Sequence, residues 1–262
     1  MHKPIAFLLT ALSFILILGS SCVNSKKVVY FSGQGDTTLL SSILVKDYPI
    51  QNNDILSISI NSLNPEATSI FNTPNISTAS YSPSSGGTIQ TSGYLVNSNG
   101  FIQFPILGDI KAAGITKAQL QNDIKSEFVK RKLLIDPIVN IRHMNFKVTV
   151  LGEVAKPTVV TVPNEKITLL EALGLAGDLT INAKRDNVLL IREIDNKKTI
   201  KRLNLNSREL FTSPYYYLMP NDIVYVEPNN AKVVAASNTR FWLPLVLSGL
   251  SFSAIILDRV IN

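Results

Sequence analysis

The chain has 262 residues, 45% of them hydrophobic and 17% charged, so it carries enough apolar material for a folded core and is not a disordered polymer. Its single cysteine excludes an intramolecular disulfide, and its two histidines leave little for a metal centre. The formal net charge of +6 suits an acidic partner.

Met1-His2-Lys3 is a short positive start, followed by the apolar stretch Ile5 to Leu18 and the small residues Gly19-Ser20-Ser21 before Cys22. That is the layout of a secretory signal over residues 1–21, too short to favour a membrane span. The cysteine at the cut site resembles a bacterial lipoprotein signal, which implies lipidation (a palmitate-type anchor) at Cys22. Gly19 stands where that signal usually has Leu, and Leu18 is one place further back. The alternative is an idle cysteine in a signal cut elsewhere. Residues 22–44 read as a tether that becomes ordered at Val28-Val29-Tyr30-Phe31, or as a strand that pairs with a partner.

Residues 45–145 read as a small α+β unit. Asn53-Asp54 suits a tight left-handed turn, and Ile55 to Ile60 is a half-buried strand. Asn61 to Ser92 is dominated by Ser, Thr, Asn, Pro and Gly, and is expected to be a mobile surface loop, with a ligand lid as the alternative. Asn97-Ser-Asn-Gly100 predicts a hairpin between Tyr94–Val96 and Phe101–Phe104, and Asp109 to Ala112 a further strand. Thr116 and Gln119 have capping-box spacing, and Leu120, Ile124 and Phe128 define one helical face. Asp136-Pro137 ends the helical stretch ahead of the strand Ile138 to Ile141.

Residues 146–230 repeat the style. Strands are expected at Phe146 to Leu151, Thr158 to Val162, Val188 to Glu193, Thr199 to Leu203 and Ile223 to Val226. Thr168 and Glu171 form a second capping box, for a helix ending at Ala176 with Gly177 as its cap. Tyr216-x-Leu218-x-x-Asn221-Asp222-Ile223 echoes Tyr48-x-Ile50-x-x-Asn53-Asp54-Ile55, which predicts one turn-into-strand device used twice. Tyr215, Tyr216 and Tyr217 are candidate sugar-stacking rings, or a sheet edge with some rings buried. Lys184-Arg185, Lys197-Lys198 and Lys201-Arg202 read as solvated charge, or as steering for an anionic polymer.

Phe241 to Leu257 contains no charged residue over 17 positions, about 26 Å as a helix. The apolar band of outer-membrane proteins is about 25 Å tall. Residues 241–262 are therefore expected to be a transmembrane helix, with Trp242 at an interface and Pro244 in the first turn. Ser248, Ser251, Asp258 and Asn262 share a face, broken by Ile255, which a ring of helices would turn towards water. A lone tail anchor and a buried helix are the alternatives. No Gly-x-Ser-x-Gly or His-Glu-x-x-His motif is present, Gly33-x-Gly35 lacks a third glycine, and His143 is the only histidine after the leader. The chain is therefore read as a non-enzyme with no cofactor or metal, although paired carboxylates keep a hydrolase open. Nucleic-acid binding fits the charge but not the secretion signal.

Tyr48-x-Ile50-x-x-Asn53-Asp54-x-Leu56-x-Ile58, Gly100-Phe-Ile-x-Phe-Pro105-x-x-Gly108, Gly114-Ile-Thr116 and Asp136-Pro137-x-Val139-x-Ile141 together resemble the polysaccharide export domain of Wza-like outer-membrane exporters. Asn53 replaces the usual Gly, and tolerates the same positive φ. The second segment resembles one copy of the soluble-ligand-binding (SLBB) β-grasp domain. The resemblance implies a homo-oligomeric, porin-like ring exporting capsular or exopolysaccharide, lipid-anchored in the outer membrane with its β-domains in the periplasm. It further implies an inner-membrane co-polymerase or tyrosine-kinase-type partner. The alternative is a periplasmic glycan-binding or adaptor lipoprotein that forms no pore.

Overall fold

The computed structural model describes residues 29–31, 47–72, 76–82, 87–194, 197–236 and 239–261. The leader, Cys22, most of the tether and Asn262 lie outside the described residues.

In the first unit, β1 (Ile55–Asn61) pairs antiparallel with β6 (Ile138–His143) from Leu56↔His143 to Asn61↔Ile138. Leu56, Ile58 and Ile60 point inward with Val139 and Ile141, as strict alternation on a half-buried sheet requires. With β2 (Ile76–Ser82) and β3 (Gly87–Leu95) the sheet runs β2-β3-β1-β6, and β4 (Phe101–Phe104) with β5 (Gly108–Lys111) forms a separate two-stranded ribbon. The helix α2 (Lys117–Lys130) opens on a complete capping box: Gln119 N–H donates to Thr116 Oγ1 at 3.3 Å and Thr116 N–H to Gln119 Oε1 at 2.8 Å. Leu120, Ile124 and Phe128 are fully buried, and the Phe128 ring meets Phe71 edge-on at 4.7 Å.

Two expectations for this unit change. The polar stretch 61–92 is largely ordered structure. It contains α1 (Pro65–Ser69), capped by Asn64, a 3₁₀ turn at Ile70–Asn72, and the hairpin β2 (Ile76–Ser82) with β3 (Gly87–Leu95). Asn72 ties this excursion to β1, accepting from Ile60 N at 2.7 Å and donating to Ile60 O at 2.9 Å. Only Tyr94 and Leu95 of β3 pair with β1, at its first two residues Leu56 and Ile55, so the rest of the hairpin parts from that strand. The Asn97–Gly100 turn forms, but β3 and β4 do not continue as one ladder. Asn97 Oδ1 takes the Phe101 N–H at 3.0 Å, and β4 pairs instead with β5.

The second unit is a five-stranded sheet in the order β10-β9-β11-β7-β8. Its strands are β7 (Lys147–Gly152), β8 (Thr158–Thr161), β9 (Ala183–Ile194), β10 (Lys197–Leu203) and β11 (Ile223–Pro228). Only β11 and β7 run parallel. The helix α3 (Leu169–Leu175) packs Leu169, Ala172 and Leu173 into a core with Val148, Val150 and Val224. Thr168 and Glu171 complete its capping box, and Asp178 N–H reaches back to Leu173 O past Gly177 at φ 78°, a glycine-terminated helix end. A short α4 (Glu209–Thr212) precedes β11.

The units touch through few groups. Tyr48 packs on Phe146 and His143, Glu165 joins Lys117 to the His143 backbone N–H, and Gln51 donates to Glu193 O at 3.1 Å. After β11 come α5 (Asn230–Ala236) and α6 (Thr239–Ile261). With 23 residues, α6 is about 35 Å long.

The C-terminal stretch forms the expected helix, with one detail corrected. Among the described residues no helix is long and apolar enough to cross a membrane. Pro244 lies inside the helix rather than in its first turn, since α6 starts at Thr239. The buried-helix alternative also falls for the described side chains: Trp242, Leu245, Leu247, Leu250, Phe252 and Ile255 are all exposed.

Gly152 ends β7 at φ 90°, where a Cβ would lie 2.1 Å from Val226 O of β11. Gly152→Ala therefore combines backbone strain with a backbone clash, and is expected to lower unfolding stability by about 2 kcal/mol or more in urea titration. An unchanged midpoint would contradict that close approach.

Candidate functional site

The two Asn-Asp turns are one device. Asp54 N–H donates to Gln51 O at 3.2 Å while Asp54 Oδ2 accepts from Gln51 N at 2.8 Å, with Asn53 at φ 68°. In the second unit Asp222 N–H donates to Met219 O at 3.2 Å and Asp222 Oδ2 accepts from Met219 N at 2.8 Å, with Asn221 at φ 64°. Each buried aspartate closes its turn and delivers the chain into β1 or β11.

Their partners differ. Arg192 grips Asp222 with Nε at 3.0 Å and Nη2 at 2.7 Å. Burial pushes the Asp222 carboxyl above its ordinary value, and Arg192 pulls it back part of the way. Asp54 has no such cation. Its Oδ2 lies 3.5 Å from His143 Nδ1, and no hydrogen bond joins them. Burial pushes Asp54 up to about 6 and His143 down to about 4. Among the described residues, both His143 ring nitrogens and the Tyr48 hydroxyl are buried without a hydrogen-bond partner. The Lys117–Glu165 ion pair borders this cluster. At 4% exposure His143 offers no face to a substrate, so the cluster reads as a domain junction rather than a hydrolytic site.

The tyrosine triplet is largely committed to the protein. Tyr215 lies between the Arg192 guanidinium at 5.3 Å and Lys201 Nζ at 5.8 Å, and Lys166 Nζ stands 4.7 Å from the Tyr217 ring centre. Tyr216 packs against Phe211 and Tyr217, and burial raises its hydroxyl pKa. The basic pairs divide. Arg185 is buried, which overturns its reading as solvated charge. Lys184 and Arg202 both meet Glu227, and Lys198 meets Glu193. Lys197 and Lys201 lie on β10, exposed along nearly its whole length. A polar cleft of about 500 Å³ sits at the junction, lined by Gln51, Asn52, Asn53, Gly114 and Glu193. Among the described residues no group of three His, Cys, Asp or Glu could hold a metal ion.

On α6, Trp242, Ser248 and Ser251 are exposed, while Asp258 is placed by its backbone alone. Ser248 Oγ donates to Leu245 O at 2.9 Å and Ser253 Oγ to Gly249 O at 2.8 Å, so these hydroxyls are satisfied within the helix. The sequence reading missed Glu165 as a bridge between the units. Its φ of 54° in the turn after β8 aims it there, and turn geometry of that kind leaves no periodic signal.

Residues 44–143 match the polysaccharide biosynthesis/export protein family, and residues 146–226 match the SLBB domain. The chain belongs to the Wza-like polysaccharide biosynthesis/export family. The protein named EPS I polysaccharide export outer membrane protein EpsA of Ralstonia solanacearum is 31% identical over 186 residues, covering 69% of this chain and 48% of that protein. The EpsA of Ralstonia nicotianae is 35% identical over 135 residues, covering 50% of this chain and 35% of that protein. The chain thus spans about half the length, or less, of the curated relatives it matches.

In this family member the Asp54–His143 pair makes a signed pH prediction. His143 has a folded pKa below its unfolded value, so its contribution to stability is lost as pH falls from about 6.5 through 4. Asp54 is raised, so the folded state gains over the unfolded as pH falls from about 6 to 3.8. His143→Gln removes only the first effect. Urea unfolding should show the variant gaining on the wild type as pH drops from 7 to 5; a pH-independent gap would contradict a buried neutral imidazole.

Proposed function

We propose that this chain is a non-enzymatic subunit of a homo-oligomeric outer-membrane channel for capsular or exopolysaccharide. The observation that carries the reading is α6: a 23-residue helix, following two units of the export family, whose described apolar side chains are left exposed among the described residues. One such helix, carrying Pro244 and the hydroxyls of Ser248, Ser251 and Ser253, gains from packing against neighbours of its own kind. Identical subunits in a closed ring give it a second surface: apolar side chains face lipid or neighbours, and the more polar face lines water. The two relatives carry polysaccharide export and outer membrane in their names, which supports the same cargo and place here.

In this reading Cys22 carries the lipid, residues 22–44 tether it, and the β-units stand in the periplasm. Synthesis machinery in the inner membrane, of the co-polymerase or tyrosine-kinase type, supplies the polymer and the drive. The ring supplies only a hydrated path. Gln51, Asn52 and Asn53 give the junction cleft carboxamides that suit sugar hydroxyls, and this favours the second reading, a periplasmic glycan-binding adaptor without a pore.

Deleting residues 241–262 separates the two. In a strain lacking the native gene, the truncated chain is expected to reach the periplasm, retain both β-units and abolish surface polysaccharide, measured by uronic-acid or neutral-sugar assay of washed cells. Surface polysaccharide at the wild-type level would contradict the channel and favour the adaptor.

A further inference from the structure

One loop of the second unit, Asp178 to Arg185, is held from two directions. On one side is the amino-terminal segment. Tyr30 Oη donates to Asp178 Oδ1, and the Arg185 guanidinium lies 5.5 Å from the Tyr30 ring centre. Phe31 packs on Phe211 at 5.0 Å, and both Tyr30 and Phe31 rest against the second core. On the other side is the root of the C-terminal helices. Asn229 N–H donates to Asn182 O at 2.6 Å, and the Asn229 side chain caps α5 by accepting from Lys232 N at 3.0 Å. Lys232 Nζ meets Glu153, whose other oxygen accepts from Thr180 Oγ1 at 2.8 Å.

Arg185 explains why the amino-terminal side is more than an incidental contact. It is a buried cation whose Nη groups reach only carbonyls, Ala183 O at 3.4 Å and Thr180 O at 3.3 Å, and whose Nε has no partner among the described residues. A buried guanidinium with no carboxylate against it is costly unless something polarisable covers it. The Tyr30 ring is that cover.

We propose that Tyr30 and Phe31 form a clip that mechanically ties the amino-terminal segment to the root of the C-terminal helix through the Asp178–Arg185 loop. The membrane consequence rests on the channel reading. Cys22 lies eight residues before Tyr30, so a lipid there stays within about 28 Å of the residue that grips the loop to which Asn229, at the root of the helices, is also bonded. The two membrane attachments would then load one end of one domain.

The test is hydrogen–deuterium exchange, read by mass spectrometry on the full chain in detergent. Tyr30→Ala is expected to speed exchange about tenfold or more in both 178–185 and 229–236, leaving 117–141 of the first unit unchanged. Tyr30→Phe keeps the ring over Arg185, loses only the hydroxyl, and should accelerate the same segments less. Asp178→Asn, tolerated at φ 69°, keeps an oxygen that accepts from Tyr30 and should accelerate them no more than Tyr30→Phe does. Unchanged exchange in either segment of Tyr30→Ala overturns the clip. Particle size on the same samples reports separately on the ring, so failure of the channel reading is distinguishable from failure of the clip.

Discussion

Two buried carboxylates set where the central strand of each unit begins. Asp54 and Asp222 each accept a backbone N–H three residues back, across an asparagine held at positive φ, and each turn feeds directly into β1 or β11. Those strands are central to their sheets, so the register of the ladders follows from these turns. Burying a carboxylate in a core is costly unless it is paired. The second unit meets that cost with a bidentate arginine. The first leaves Asp54 beside a neutral histidine under Tyr48, at the place where the units meet. The stability of the junction is therefore tied to the protonation of Asp54 and His143.

Most of the helices and strands were legible because their signals are local. Both capping boxes, the apolar stripe Leu120–Ile124–Phe128, the Gly177 helix end and the twofold Asn-Asp echo appear as read. The stretch 61–92 was misread because a hairpin of Ser, Thr and Gln carries no apolar alternation, only a modest β preference. The Asn97 side chain cannot be foreseen as a competitor for the Phe101 N–H, so the β3–β4 ladder was expected where a turn alone forms.

The charges were harder to read than the helices. In sequence Lys184 and Arg185 are one basic pair, yet the strand alternation of β9 sends Lys184 out to Glu227 and Arg185 inward beneath Tyr30. Tyr215 looks like an open ring in the sequence, but cations from β9 and β10 stand on it. Among the described residues α6 carries a row of uncovered apolar side chains, and it is this surface rather than a pocket that the proposed assembly must bury. The interruptions along α6 make the same demand from the other side, since a helix with serines and a proline gains from neighbours that a solitary span lacks.

The central claim is that identical subunits close into a ring through which α6 passes. Single-particle electron microscopy of the detergent-extracted protein, with and without residues 241–262, tests it most directly. The account predicts closed rings with a central channel, capped by a collar that disappears on truncation. Uniform monomers in several mild detergents would contradict it.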